Sequence, residues 1–467
     1  MGLDHCLVAV EKMEEPGYCL APPFDPPNPV YALVSRLFQS LGLDAGHCGT
    51  PEWNPLGELI RPGHKVVIKP NLVTDRHFHE RLEGDRMFCS STHGSVLRPI
   101  IDFALKAAGP EGRVTLIDSP MEGTDLDVVT SLLGIPPMLE ALRSRGRQVD
   151  LLDLRDFRVI PMMILDDARI AGRSFNLGLL VKKRLPGDPL GHVVIDLGNH
   201  SHFKGLPRES GRLSFHRSHR STPVAHHTDG RHEYSIPRTL LDADVFINVP
   251  KLKTHKKTGV TLSLKSVIGL TNCKYWLPHF TAGAPPAGDE FPVRPSFGDR
   301  IALKLSRFPL PQGHSLIARA PRLEGGGQVI GDGGWPGNDT LWRTILDMNR
   351  ILFYADQEGR ISTSRQRRYM TVIDGIIAGE GEGPLGSVPK RCGALIGGLD
   401  PVAADRVACS VMGIDPARIP LMVEASRPGD LPIGFGPPGE VQVRSGTGAE
   451  RLRDPFRLPK SWEEIKP

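Results

Sequence analysis

Five basic side chains, Lys251, Lys253, His255, Lys256 and Lys257, fall within seven residues, and Lys265 follows eight positions later. So many ammonium groups in one place suit an anionic ligand. Burial and mutual repulsion lower lysine pKa values, so one of these amines could serve as a general base. Val260, Leu264 and Val267 have helical spacing, with Gly269 as a stop. That pattern puts Lys265 inside an apolar helix, where a lysine needs a reason. Thr261 lies four residues before Lys265 and shares its helix face. Lys251 and Lys253, if extended, point the same way. The first-turn amides of the helix would add donors for a phosphate or carboxylate. The plain alternative is a solvated basic turn.

Other polar residues stand at the ends of short apolar runs. Lys69-Pro70-Asn71 follows Val66-Val67-Ile68, and Asp118-Ser119 follows Val114-Thr115-Leu116-Ile117. Asp374-Gly375 follows Met370-Thr371-Val372-Ile373. An aspartate there can bind a metal, orient a lysine or cap a helix. A glycine-rich run from Gly331 to Asn338 precedes a helical pattern capped by Asp339 or Thr340, leaving Asp332 and Asn338 for a ligand. Neither this run nor Gly379–Pro384 has the spacing of a nucleoside triphosphate loop or a dinucleotide-binding turn. Histidines crowd between 200 and 232; His200 with His202, and His216 with His219, could each give two ligands to a divalent metal.

The elements that would position these groups alternate. Runs at Val66–Ile68, Arg113–Ile117, Val149–Leu154, Val193–Leu197, Val245–Val249 and Met370–Ile373 suit strands buried on both faces. Helical periodicity covers Asn28–Leu43, Ser95–Ala108, Thr340–Tyr354 and Pro401–Met412. This predicts an α/β fold, with largely parallel sheet flanked by helices, in two interleaved lobes. The expected division is an α/β lobe at 1–276 carrying the lysine and histidine motif, an insertion or lid at 277–330 rich in proline and glycine, a second α/β lobe at 331–425 and a tail at 426–467. In open sheets of this class ligands bind beyond the carboxyl ends of the strands, where these polar residues fall.

With 467 residues, a net charge of +4 and 24% charged residues, the chain has ordinary globular composition. Its basic residues are interleaved with acids, so nucleic acid is an unlikely partner. No apolar run is long enough for a membrane helix, and the first residues lack a secretion signal, which points to the cytoplasm. Seven dispersed cysteines without a C-x-x-C pair argue against a disulfide framework, a zinc ribbon or an iron–sulfur module.

Val67-Ile68-Lys69-Pro70-Asn71, Val249-Pro250-Lys251-Leu252-Lys253-Thr254-His255, the stretch Gly259–Gly269, and Ile373-Asp374-Gly375 with Gly379-Glu380-Gly381 resemble the domain of unknown function 362 family over roughly residues 60–415. Many members carry a ferredoxin-like iron–sulfur segment; this chain lacks the cysteines for it, so no such cluster is expected. His255, Gly259, Thr261, Lys265 and Gly269 also resemble, over a short span, the lactate racemase family. That likeness implies a nickel-pincer nucleotide, with His255 in acid–base or metal-proximal work and Lys265 at the cofactor or substrate.

The expected function is that of an enzyme acting on a small carboxylate- or phosphate-bearing metabolite. His255, Lys265, Lys69 and Asp374 would carry the chemistry, and Asn71, Lys251, Lys253, Thr261, Asp118, Asp332 and Asn338 would bind the substrate. The alternatives are a racemase- or isomerase-like enzyme with a metal or nickel-pincer cofactor, and a non-catalytic module for an anion or a nucleic acid.

Overall fold

The computed structural model describes residues 4–77, 80–170, 173–206, 212–215, 221–293, 315–316, 332–436, 441–448 and 452–465. Most of the short apolar runs become strands of one eleven-stranded sheet. In chain order these strands are β1 (Leu7–Lys12), β2 (Lys65–Pro70), β3 (Arg113–Asp118), β4 (Val149–Asp153), β5 (Val245–Val249), β6 (Lys251–His255), β7 (Gly259–Val260), β8 (Arg368–Glu382), β9 (Gly386–Lys390), β10 (Ala394–Gly398) and β11 (Gln442–Arg444). The main order is β11-β1-β10-β8-β5-β2-β3-β4; β6 and β9 pair with β8, and β7 pairs with β6. Strands β8, β5, β2, β3 and β4 run parallel, while β10 is antiparallel to both its neighbours. The protein is therefore α/β, with a large mixed, largely parallel sheet flanked by helices. Strands from 1–276 and from 331–425 lie side by side in that sheet.

Both faces of the central strands are buried, so both need helical cover. Val66 and Ile68 join one apolar cluster with Val34 of α1 (Pro29–Ser40) and Ile100 of α2 (Gly94–Ala108). Val67 and Phe246 join the other, with Leu264 of α3 (Leu262–Ser266), Ile345 of α4 (Leu341–Tyr354) and Val407 of α5 (Pro401–Val411). Each such side chain contributes about 1.5–3 kcal/mol by leaving water. The helix starts follow from local chemistry. Asn28 accepts the Tyr31 amide with proline at the first position of α1, and Asp400 accepts the Val402 and Ala403 amides at α5.

Two expectations need correction. The run at 193–197 is not a buried parallel strand. Residues His192–Asp196 pair antiparallel with Glu233–Pro237 in a separate two-stranded ribbon, and Val194 is 49% exposed. A short apolar run alone does not tell which sheet will take it. The plain alternative of a solvated basic turn at 251–255 does not hold either: these residues are extended as strand β6, which leaves β5 at Pro250 and pairs with β8. The long hairpin Phe157–Ile170 and Arg173–Arg184 was not anticipated. Among the described residues no helix is long and apolar enough to cross a membrane. The tail lies against the motif: Trp462 is 1% exposed, and its indole N–H donates to the Lys256 carbonyl at 2.7 Å.

Candidate functional site

Register brings the polar strand ends to one edge of the sheet. Asn248 lies opposite Lys69 on one side and Thr371 on the other, so β2, β5 and β8 run out together. Lys69 donates to Asp118 Oδ1 at 2.8 Å and to the Pro70 carbonyl at 3.0 Å. Asp118 Oδ2 accepts the Leu72 amide at 2.7 Å. The backbone of Gly269 closes over this buried pair. A Cβ there would stand 2.4 Å from Asp118 Oδ1 and 2.8 Å from Lys69 Nζ, so only glycine permits the approach.

Asn71 acts mainly on the backbone. Its amide N–H donates to Thr92 Oγ1 at 2.9 Å and its Nδ2 to the Ser90 carbonyl at 2.8 Å. Lys253 Nζ donates to that same carbonyl at 3.0 Å. The turn after β2 thus sets the position of a lysine nearly two hundred residues away in sequence.

Strand β6 serves two environments. Lys251 is sealed: its Nζ donates to Asp374 Oδ2 at 2.9 Å and to Tyr18 Oη at 2.6 Å, with both charged partners fully buried. Tyr18 also donates to Asp374 Oδ1 at 2.7 Å and stacks on His93 at 4.3 Å. Burial lowers the Lys251 ammonium, raises the Tyr18 phenol well above its usual range and holds His93 down at about 3, neutral. Asp374 and Lys251 therefore join each other rather than Lys265.

Lys253 belongs to a second environment, a cluster of lysines from several elements. Burial pushes its pKa down to about 7, with Lys251 and Lys69 adding to the effect. Lys274, which donates to the Pro120 carbonyl at 2.9 Å, is pushed down to about 8 by burial. Lys265 lies well below the ordinary lysine value: burial comes first, then the charges of Lys253, Lys274, Lys257 and Lys69. Its side chain keeps partial exposure, whereas Lys69, Lys251 and Lys253 are at most 1% exposed. Among the described residues Lys265 Nζ has no hydrogen-bond or ion-pair partner.

Two histidines share these lysine charges. Both lie well below 6.5, chiefly through burial, and are neutral. Their hydrogen bonds assign opposite tautomers. His255 Nδ1 accepts the Lys257 amide at 3.1 Å, so its Nε2 carries the proton. His279 Nδ1 donates to the Leu277 carbonyl at 3.0 Å, so its Nε2 keeps the lone pair. One ring can give a proton and the other can take one. Lys274 and His279 were outside the sequence expectations. Lys274 follows the helix stop at Gly269, and His279 opens the stretch read as a lid. The only sequence signal is a basic residue on either side of the apolar run Tyr275–Leu277.

The helix start behaves differently from expectation. Asp405 of α5 accepts the Ser263 amide at 2.7 Å and the Leu264 amide at 2.8 Å, so these donors are already used. Burial raises Asp405 to about 7. Leu262 sits at φ 48°, a left-handed backbone that a branched side chain resists at a cost of about 1–3 kcal/mol. The Asp405 carboxylate on the next two amides holds it there. Thr261, 3% exposed, donates its amide to the Lys253 carbonyl at 2.9 Å; its own hydroxyl is buried and has no partner among the described residues. The donors that remain near Lys253 and Lys265 are therefore side chains.

Asp332 and Asn338 are not left free. Asp332 pairs with Lys256 at 2.7 Å. Asn338 caps α4, its Oδ1 accepting the Thr340 and Leu341 amides while its Nδ2 donates to the His279 and Gly333 carbonyls. Of the metal candidates, His200 is exposed, and His202 is held at about 3 by burial and packs edge-on against Trp342. His216 and His219 lie outside the described residues. Among the described residues no three His, Cys, Asp or Glu side chains gather as a metal site.

Thylakoid-associated protein sll1697 of Synechocystis sp. (strain ATCC 27184 / PCC 6803 / Kazusa) is 24% identical over 236 residues, covering 50% of this chain. The chain spans about half of that relative, 51% of its length. No solved structure matches. The model of Domain of unknown function (DUF362) matches residues 192–410, which takes in β5 to β8, α3, His255, His279, Lys253, Lys265 and Lys274, but begins after Lys69 and Asn71. The chain thus carries a DUF362 domain at residues 192–410.

Proposed function

We propose that this chain is an enzyme for a small anionic metabolite, bearing a carboxylate or a phosphate, and that it works by lysine and histidine acid–base chemistry. The observation that carries this reading is the lysine and histidine cluster itself. Lys253, Lys265 and Lys274 are crowded and depressed in pKa, with two neutral histidines of opposite tautomer among the same charges. Assembling cations out of water is unfavourable unless an anion compensates. A bound oxyanion would restore the lysine charges, and His279 Nε2 and His255 Nε2–H could then take and give a proton at the substrate. Lys69, fixed by Asp118, adds to the cluster from β2, and Thr261 offers its unspent hydroxyl. Asp374 and Lys251 support β6 from behind.

The test is calorimetric titration with inorganic phosphate at pH 8 in buffers of different ionisation enthalpy. Binding should take up protons, because the anion draws Lys253 and Lys274 back toward their ordinary values. Lys274→Ala should weaken binding and reduce the uptake. Absence of binding, or binding without proton uptake, would overturn the reading. An isomerase with a nickel-containing nucleotide is favoured only by the electrostatic closeness of His255 and Lys265. Metal analysis of natively purified protein tests it, nickel near one equivalent supporting it and no metal opposing it.

A further inference from the structure

The lysines of this region are not equivalent. Lys69 is tied to Asp118, Lys251 to Asp374 and Tyr18, Lys253 to the Ser90 carbonyl, Lys274 to the Pro120 carbonyl and Lys256 to Asp332. Lys265 has no such tie among the described residues, yet it keeps accessible surface. It is also ringed by ammonium groups on separate elements, β2, β6 and the segment after α3. A side chain held by nothing, in a cluster where every neighbour is held, is free to bond to a ligand.

We propose that Lys265 is a covalent residue that forms a Schiff base with an anionic aldehyde or ketone. This deepens the anion reading and rests on it: Lys253 and Lys274 hold the anionic group while Lys265 meets the carbonyl carbon. The nitrogen lone pair forms the C–N bond as the C=O π pair moves to oxygen. One N–H proton passes to that oxygen, giving the carbinolamine. The second N–H proton leaves with the hydroxyl as water, and the C=N bond remains. One water is lost and nothing is oxidised or reduced. His279, with its Nε2 lone pair, is suited to carry protons from nitrogen to oxygen. The cationic ring favours the unprotonated amine that this attack requires, as expected for a lysine beside other cations.

The experiment is reductive trapping on the full chain at pH 7. Pyruvate serves as the carboxylate probe and dihydroxyacetone phosphate as the phosphate probe, with cyanoborohydride as reductant and peptide mass spectrometry as readout. An ordinary lysine holds fewer than about one amine in a thousand unprotonated at this pH, so an early adduct should concentrate on Lys265. Whichever probe labels it names the anionic group. Lys265→Arg should lose that adduct, and an unchanged circular-dichroism spectrum and denaturation midpoint show that the variant folds. Labelling of other lysines only, with Lys265 unmodified, overturns the proposal. Phosphate titration of the same preparation separates the two ideas. Phosphate binding without an adduct sinks the covalent step alone. An adduct without phosphate binding sinks the anion reading and, with it, the anionic substrate class, leaving only the covalent lysine. The absence of both removes the two together.

Discussion

Replacing Lys253 with methionine should make the unliganded protein more stable. The lysine is 1% exposed and its pKa falls from 10.5 to about 7. At pH 7 the unfolded chain carries that proton almost fully, and the folded chain about half of the time, which sets folding back by ~4 kcal/mol. Methionine keeps an unbranched stem without the charge. The lost hydrogen bond to Ser90 offsets about 1 kcal/mol, and the Ser90 carbonyl keeps Asn71 as a donor. A net gain of ~2–3 kcal/mol is expected. Folded and unfolded states differ in protonation between pH 7 and 10.5, the unfolded state holding more. Stability of the parent therefore rises with pH across that window, and the penalty is full below it. Guanidinium denaturation of both proteins at pH 7 and pH 9.5 should show a gap that narrows at the higher pH. Adding phosphate at pH 7 should raise the parent and leave Lys253→Met unmoved. If Lys253→Met is instead the less stable protein at pH 7 without phosphate, Lys253 is a structural strut and the argument from crowded cations fails.

Asn338→Ala should cost about 0.5–2 kcal/mol through loss of the α4 cap, yet leave phosphate affinity unchanged; weaker binding would return Asn338 to the ligand. Asp405 has a folded pKa raised to about 7, so the stability it contributes is fully present below its unfolded value near 3.8 and is lost as pH rises through 7. Asp405→Asn should therefore flatten the fall in denaturation midpoint between pH 5 and pH 8, and an unchanged fall would refute the assignment.

The sheet and the four long helices were legible because each rests on repeated local signals. Val66–Ile68 and Val245–Ile247 are apolar over their whole length, and α1 and α5 begin at a side-chain cap followed by proline. The lysine cluster was legible in part. Lys69, Lys253, His255 and Lys265 come from motifs dense enough to notice. Division of β6 between a sealed pair and the lysine cluster was not, because it depends on Tyr18 and Ser90 arriving from distant loops. Asp405 was missed for the same reason: an aspartate within a helix pattern gives no hint that it will cap a different helix. Asn338 misled because the residue after it, Asp339, is an equally good cap by composition.

The place of β1 bears on how the protein is made. Val8 pairs with Gly398 and Val443, so the partners of this strand leave the ribosome about 390 residues or more after it does. At bacterial to eukaryotic elongation rates that interval is on the order of 20–80 s. Throughout it the apolar run Leu7–Val10 has no sheet to join and is available to chaperones or to other nascent chains. Completion of the sheet whose strands β2, β6 and β8 carry Lys69, Lys253 and Asp374 is thereby tied to completion of almost the whole chain, and an amino-terminal fragment made by premature termination would expose a sticky strand.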